Sequence, residues 1–124
     1  MIRRTALLAG LLVAAPAYAA PGDLSVAAYL AKADALKAKG MMAMMSSDVG
    51  LLRDEVGAAG KAYRARLAAD KKAGNPPLAC VPERMGINAD QLLTHLRGYP
   101  VAQRPKITIK VAMADWIERT YPCR

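Results

Sequence analysis

Few residues of this chain could do chemistry. Its two cysteines, Cys80 and Cys123, stand 43 positions apart, and its single histidine, His95, lies between them. A thiolate beside an imidazole would be a nucleophile or redox centre, whereas two paired thiols would be a structural disulfide. Their placement favours pairing. If the helix that follows Cys80 and the helix that precedes Cys123 pack as an antiparallel hairpin, both thiols reach the same end of it. Closing a loop of this length stabilises a fold by about 4 kcal/mol in the chain-entropy account. His95 falls between Leu93 and Leu96 on a helical segment, where a half-buried boundary histidine is expected. Asp54 and Glu55 are adjacent and so point about 100 degrees apart on a helix. They are expected to be solvated and not to work as a catalytic pair. H-E-x-x-H, G-x-S-x-G and phosphate-loop patterns are absent, so the sequence points away from an enzyme and calls for no cofactor.

Two clusters remain. Met41, Met42, Met44 and Met45 carry thioethers, soft ligands that suit Cu(I). No second Met, His or Cys motif adjoins them, so no metal is assigned. The expected role is to fill gaps in an alanine-rich core or to form an adaptable contact surface. Lys61, Arg64, Arg66, Lys71 and Lys72 crowd the second half of a long helical segment, with Asp70 the one acid among them. They are expected to form a basic face, either solvated or facing an acidic protein, anionic lipid or cell-wall polymer. No recognition motif accompanies them, so nucleic acid is not the expected partner.

These residues must be positioned by a thin core. The chain has 124 residues, 26 of them alanine, and no phenylalanine. That is room for about one domain, and a small domain with such a core gains from a covalent staple. Residues 1–19 are expected to leave as a signal peptide. Residues 1–4 are basic, an apolar run covers residues 5–15, Pro16 breaks it, and Ala17-Tyr18-Ala19 supplies small residues for cleavage. The apolar run is too short to span a membrane. The net charge is +8 and falls to +6 once Arg3 and Arg4 leave with the leader. A soluble periplasmic protein over residues 20–124 is expected, in a compartment that permits disulfides.

Helical periodicity runs through the rest. Ser25 caps a first helix carrying Val26, Tyr29, Leu30, Ala33 and Leu36, which Gly40 stops. Ser46, Ser47 or Asp48 caps a second, with Val49, Leu52, Val56, Ala59, Tyr63 and Leu67 on one stripe to about Lys72. Gly50, Gly57 and Gly60 within it suggest close helix contact or a local bend, with another helix expected to cross near the last two. Gly74-Asn75-Pro76-Pro77 ends it. Asn88 and Gln91 form a capping box for a third helix with Leu92, Leu93 and Leu96, which Gly98 and Pro100 end. Pro105 suits the first turn of a fourth, with Ile107, Val111, Ala114, Ile117 and Tyr121 on one face. Ile107-Thr108-Ile109 also reads as a short strand. The expected fold is all-α: about four helices, with one disulfide closing the C-terminal hairpin.

Cys80-Val81-Pro82, then Leu92, Leu93 and Leu96, Tyr99-Pro100, the stretch from Val111 to Trp116, and Tyr121-Pro122-Cys123 resemble the periplasmic immunity proteins that protect bacteria against type VI secretion peptidoglycan amidases. The likeness covers residues 78–123. It implies a helical homodimer, a Cys80–Cys123 disulfide, and tight binding that occludes a secreted cell-wall amidase. The matching positions are scaffold residues, so no partner-contacting residue carries over. Two other functions fit a small stapled helical protein: a periplasmic chaperone or stress protein of the acid-protective kind, and a copper binder acting through the methionine cluster. Ten carboxylates and one histidine give the chaperone reading modest means of changing state with pH.

Overall fold

The computed structural model describes residues 20–124. The expected leader, residues 1–19, lies outside the described residues. Four α-helices follow in order: α1 (Val26–Lys39), α2 (Ser47–Lys72), α3 (Ala89–Arg97) and α4 (Ile109–Thr120). Each begins where a side chain takes up an orphan backbone donor. Ser25 Oγ accepts from the Ala28 N–H, Ser46 Oγ from that of Asp48, and Thr108 Oγ1 from that of Val111. The capping box of Asn88 and Gln91 closes reciprocally at the start of α3. Gly40 ends α1 at φ +58°, a conformation costly for any residue with a Cβ. From it the chain enters a 3-10 helix, Gly40–Met45, before α2.

The helix α2 is 26 residues long and forms the spine. Along it α4 makes its most extensive packing, while α1 touches α2, α3 and α4. The larger core gathers Val26, Tyr29 and Leu30 of α1, Leu52 and Ala59 of α2, Leu92 and Leu96 of α3, and Ile109, Ala112 and Met113 of α4. A second, smaller core holds Tyr63, Ala79 and Ile117. The disulfide forms as expected between Cys80 and Cys123. It ties the loop between α2 and α3 to the residues that follow α4, and α4 leans chiefly on α2 rather than on α3.

Three sequence expectations require correction. First, the fourth helix starts at Ile109, because Pro105 lies in a separate 3-10 turn, Arg104–Lys106, and Thr108 is the cap. Its core face is accordingly Ile109, Ala112, Met113 and Ile117, at the i, i+3, i+4, i+8 spacing of a helix stripe, and Val111 is exposed. Ile107-Thr108-Ile109 makes no strand; a lone antiparallel bridge joins Thr108 to Ser25. Second, no helix packs closely on Gly57 or Gly60: α4 passes across a cavity from them, with Met113 and Trp116 in its lining. A Cβ on Gly57 would meet nothing within 4 Å, and one on Gly60 would meet only the Met85 methyl at 3.9 Å.

Third, Glu55 is buried, at 8% exposure, while its neighbour Asp54 is exposed. The bridge draws the chain start onto α4: the Val26 N–H donates to the Ile107 carbonyl, and the Ile109 and Lys110 N–H groups donate to the carbonyls of Leu24 and Gly22. This leaves the N–H groups of Gly22 and Leu24 facing α2. Glu55 Oε2 accepts from both, at 2.6 and 3.2 Å. A carboxylate with two backbone donors tolerates burial that an unpaired one would not.

Candidate functional site

The disulfide fixes one wall of the candidate site. Cys80 and Cys123 have Cα atoms 4.9 Å apart, and the Cys80 N–H donates to the Tyr121 carbonyl at 2.8 Å. Both sulfurs are committed to this bond, so neither serves as a nucleophile beside His95. Next to Cys80, Ala79 is buried against Tyr63 and Ile117. Further along, Arg64 Nη2 donates to the carbonyls of Pro82 and Glu83 at 3.2 and 3.1 Å, so a guanidinium of α2 clamps the loop a second time.

Between this loop and α2 runs a groove. The α2 side is a single stripe of Gly57, Gly60, Lys61, Arg64, Leu67 and Lys71, whose spacing places them on one helix face. The groove consists of two separate open cavities that share no lining residue. One, of about 370 Å³, is bounded by Gly57, Gly60, Lys61, Met85 and Trp116, with Arg64 at its edge. The other, of about 960 Å³, is bounded by Leu67, Lys71, Pro77, Val81, Pro82 and Tyr121. Trp116 and Tyr121 meet edge to face with ring centroids 5.9 Å apart, a favoured aromatic geometry that braces the α4 side. The two glycines, with no side chain, leave the first cavity open. Both cavities are largely apolar, the first with Lys61 and Arg64 in its lining and the second with Lys71.

Of the five basic residues singled out in the sequence, Lys61, Arg64 and Lys71 line this groove. Arg66 does not: two positions from Arg64 is about 200 degrees around a helix, and it lines a separate small cavity with Lys110 and Val111. Lys72 is exposed at the helix end and lines neither half of the groove. The expected basic face is therefore divided. Trp116, Val81 and Met85 were not singled out as site residues; the loop that carries two of them has no periodicity to betray its position.

His95 sits where α3 meets α4. Its Nε2 donates to the Ala112 carbonyl at 2.8 Å, since a carbonyl can only accept, and Nε2 therefore carries a proton. The Tyr99 hydroxyl lies 3.2 Å from the same nitrogen and donates to Asp115 Oδ2 at 2.5 Å. Burial first, then the bond to Asp115 and its charge, hold the Tyr99 phenol well above its ordinary range. The three side chains lock α3 to α4, with their protons committed to fixed acceptors. Asp54 and Glu55 diverge as adjacency requires, one outward and one inward.

Met41, Met42, Met44 and Met45 are 68–93% exposed on the 3-10 helix, so they fill no gap in the core. Among the described residues no three His, Cys, Asp or Glu side chains converge as a metal site, and no helix is long and apolar enough to cross a membrane. No family model, curated protein or solved structure matches the chain.

Proposed function

We propose that this chain is a periplasmic immunity-type protein that binds a secreted cell-wall amidase and occludes its active-site cleft. The observation that carries this reading is the pair of largely apolar cavities along α2, the first lined by the cations Lys61 and Arg64 and the second by Lys71. Such a surface suits a protein segment that presents apolar side chains flanked by carboxylates. The charge accelerates encounter and fixes orientation, and the apolar lining supplies the buried contact. From residue 78 onward the loop that walls the groove lies within the stretch, residues 78–123, that resembles the immunity family, while the α2 side lies outside it. A disulfide and a guanidinium clamp hold that wall in place before the partner arrives, which lowers the ordering cost of binding. Occlusion needs no cofactor and no catalytic residue.

The test uses oxidised protein, residues 20–124, and peptidoglycan amidases secreted by its own and neighbouring bacteria. The expected result is one amidase that binds stoichiometrically and loses activity on binding. Replacing Leu67→Glu in the groove should weaken inhibition strongly, and Lys61→Glu with Lys71→Glu should slow association and flatten its salt dependence. Arg64 is left in place because it also holds the loop. Full inhibition by all groove variants would remove the groove from the mechanism. Failure of the wild-type chain to bind any such amidase would overturn the immunity reading.

A further inference from the structure

The four methionines of the 3-10 helix lie outside the groove, and their geometry suits a different task. In a 3-10 helix residues three apart eclipse each other, about 6 Å apart along the axis. Met41 and Met44 therefore share one edge of the segment Gly40–Met45, and Met42 and Met45 a neighbouring one. None is engaged elsewhere: their exposures are 93%, 68%, 83% and 85% in chain order. Four apolar side chains left in water form an exposed patch of the kind that marks a ligand or partner site. They sit in this array because Gly40, at φ +58°, turns the chain out of α1, and the Ser46 N–H closes the segment on the Ala43 carbonyl.

From this array we infer a binding site for a soft monovalent d¹⁰ cation, Cu(I), held by three or four thioether sulfurs of Met41, Met42, Met44 and Met45. The donor set selects the ion. Thioethers are neutral and polarisable, which suits Cu(I) and gives no charge compensation to a divalent cation. The nearest carboxylate along the chain, that of Asp48, is paired with Lys32 Nζ at 3.4 Å and does not convert the site to a hard one. Methionine side chains are unbranched with several rotatable bonds, so neighbouring edges can converge on one ion without moving the backbone. Because the four sulfurs belong to one short turn, the effective concentration of the remaining donors is high once the first is bound.

The experiment titrates Ag(I), which needs no reductant and so leaves the disulfide intact, into oxidised protein labelled at the methionine methyls. The expected result is saturation at one ion per chain, with shifts confined to the methyls of these four residues and those of Met85 and Met113 unmoved. Replacing all four by leucine keeps the apolar surface and, as none packs in the core, the helical circular dichroism; that variant should lose the saturable binding. The pairs Met41→Leu with Met44→Leu and Met42→Leu with Met45→Leu should each weaken it. Cu(I) supplied with ascorbate should compete with Ag(I) for the same methyls. Equal binding by the four-leucine variant, shifts spread to Met85 and Met113, or no saturation would each overturn the site. The amidase assay is a separate readout, so failure of either proposal leaves the other standing.

Discussion

Around α1 and α3 ten side chains are buried together, whereas under the disulfide the buried set is Tyr63, Ala79 and Ile117. The two ends of α2 thus face different problems. At the first, apolar area is sufficient, and polar contacts finish the closure: the Ser25–Thr108 bridge, the Glu55 latch and the Arg97–Asp34 pair. At the second, burial is too sparse to hold a proline-flanked loop by itself. A covalent bond and the Arg64 clamp take its place. The contrast explains the larger half of the groove, the cavity under the disulfide; the smaller half lies against Val56 and Met113 of the larger core, where Gly57 and Gly60 leave the surface open. An open trough can exist only where the core does not close, and it keeps its shape only if something other than packing holds its walls.

The largest expected effect comes from breaking the tie. Cys80→Ala with Cys123→Ala should cost about 4 kcal/mol, as expected for opening a loop of 43 residues. The loss should be uneven. Hydrogen exchange should quicken first in residues 78–87 and 117–121, while amides of α1 and α3 keep protection until global unfolding. Equal loss of protection at both ends would show one cooperative unit and erase the distinction between them. A melting temperature unchanged by reduction would remove the staple from the stability account.

The next effect belongs to the better-packed end. Glu55→Ala strands the N–H groups of Gly22 and Leu24, and leaving buried donors unsatisfied should cost about 2 kcal/mol in all. Glu55→Gln retains an acceptor oxygen and should recover part of that. The check is urea unfolding together with exchange at residues 22–24, which should lose protection in the alanine variant while residues 78–87 do not. If the loop loosens equally, the latch and the staple serve the same unit.

Much of this was legible in the residues themselves. The caps Ser25, Ser46 and Asn88, the stripe from Leu52 through Ala59 to Tyr63, and the cysteine pairing follow from local rules, because caps and helix periodicity depend on neighbours within a few positions. Glu55 was missed because its partners, the backbone of Gly22 and Leu24, are more than thirty residues away and meet it only through the bridge to Thr108. The face of α4 was misplaced because Pro105 starts a 3-10 turn as readily as a helix, and Thr108 takes over as cap. Arg66 could have been separated from Lys61, Arg64 and Lys71 by the 100-degree rule alone. The groove could not, since its far wall is a loop whose position is set by a tertiary bond.

The smallest effect probes the thin core itself. The Tyr63 hydroxyl donates to Glu118 Oε1 at 3.2 Å, linking α2 to α4 beside Ile117. Burial, then the charge and hydrogen bond of Glu118, push its phenol from an ordinary 10.0 up to about 12. The folded chain therefore keeps this proton to higher pH than the unfolded chain does. The associated stability is fully present below pH 10 and is lost as pH rises from 10.0 to about 12. Tyr63→Phe should cost about 1 kcal/mol at neutral pH, and its difference from wild type should shrink through that alkaline window. Tyr99 also has a raised phenol and steepens the alkaline limb of both proteins, but it acts between α3 and α4 and cancels in the difference. A wild-type minus variant difference flat to pH 12 would mean that Glu118 does not hold the proton in solution. The small core would then rest on the packing of Tyr63, Ala79 and Ile117 and on the disulfide, without the polar link from α2 to α4.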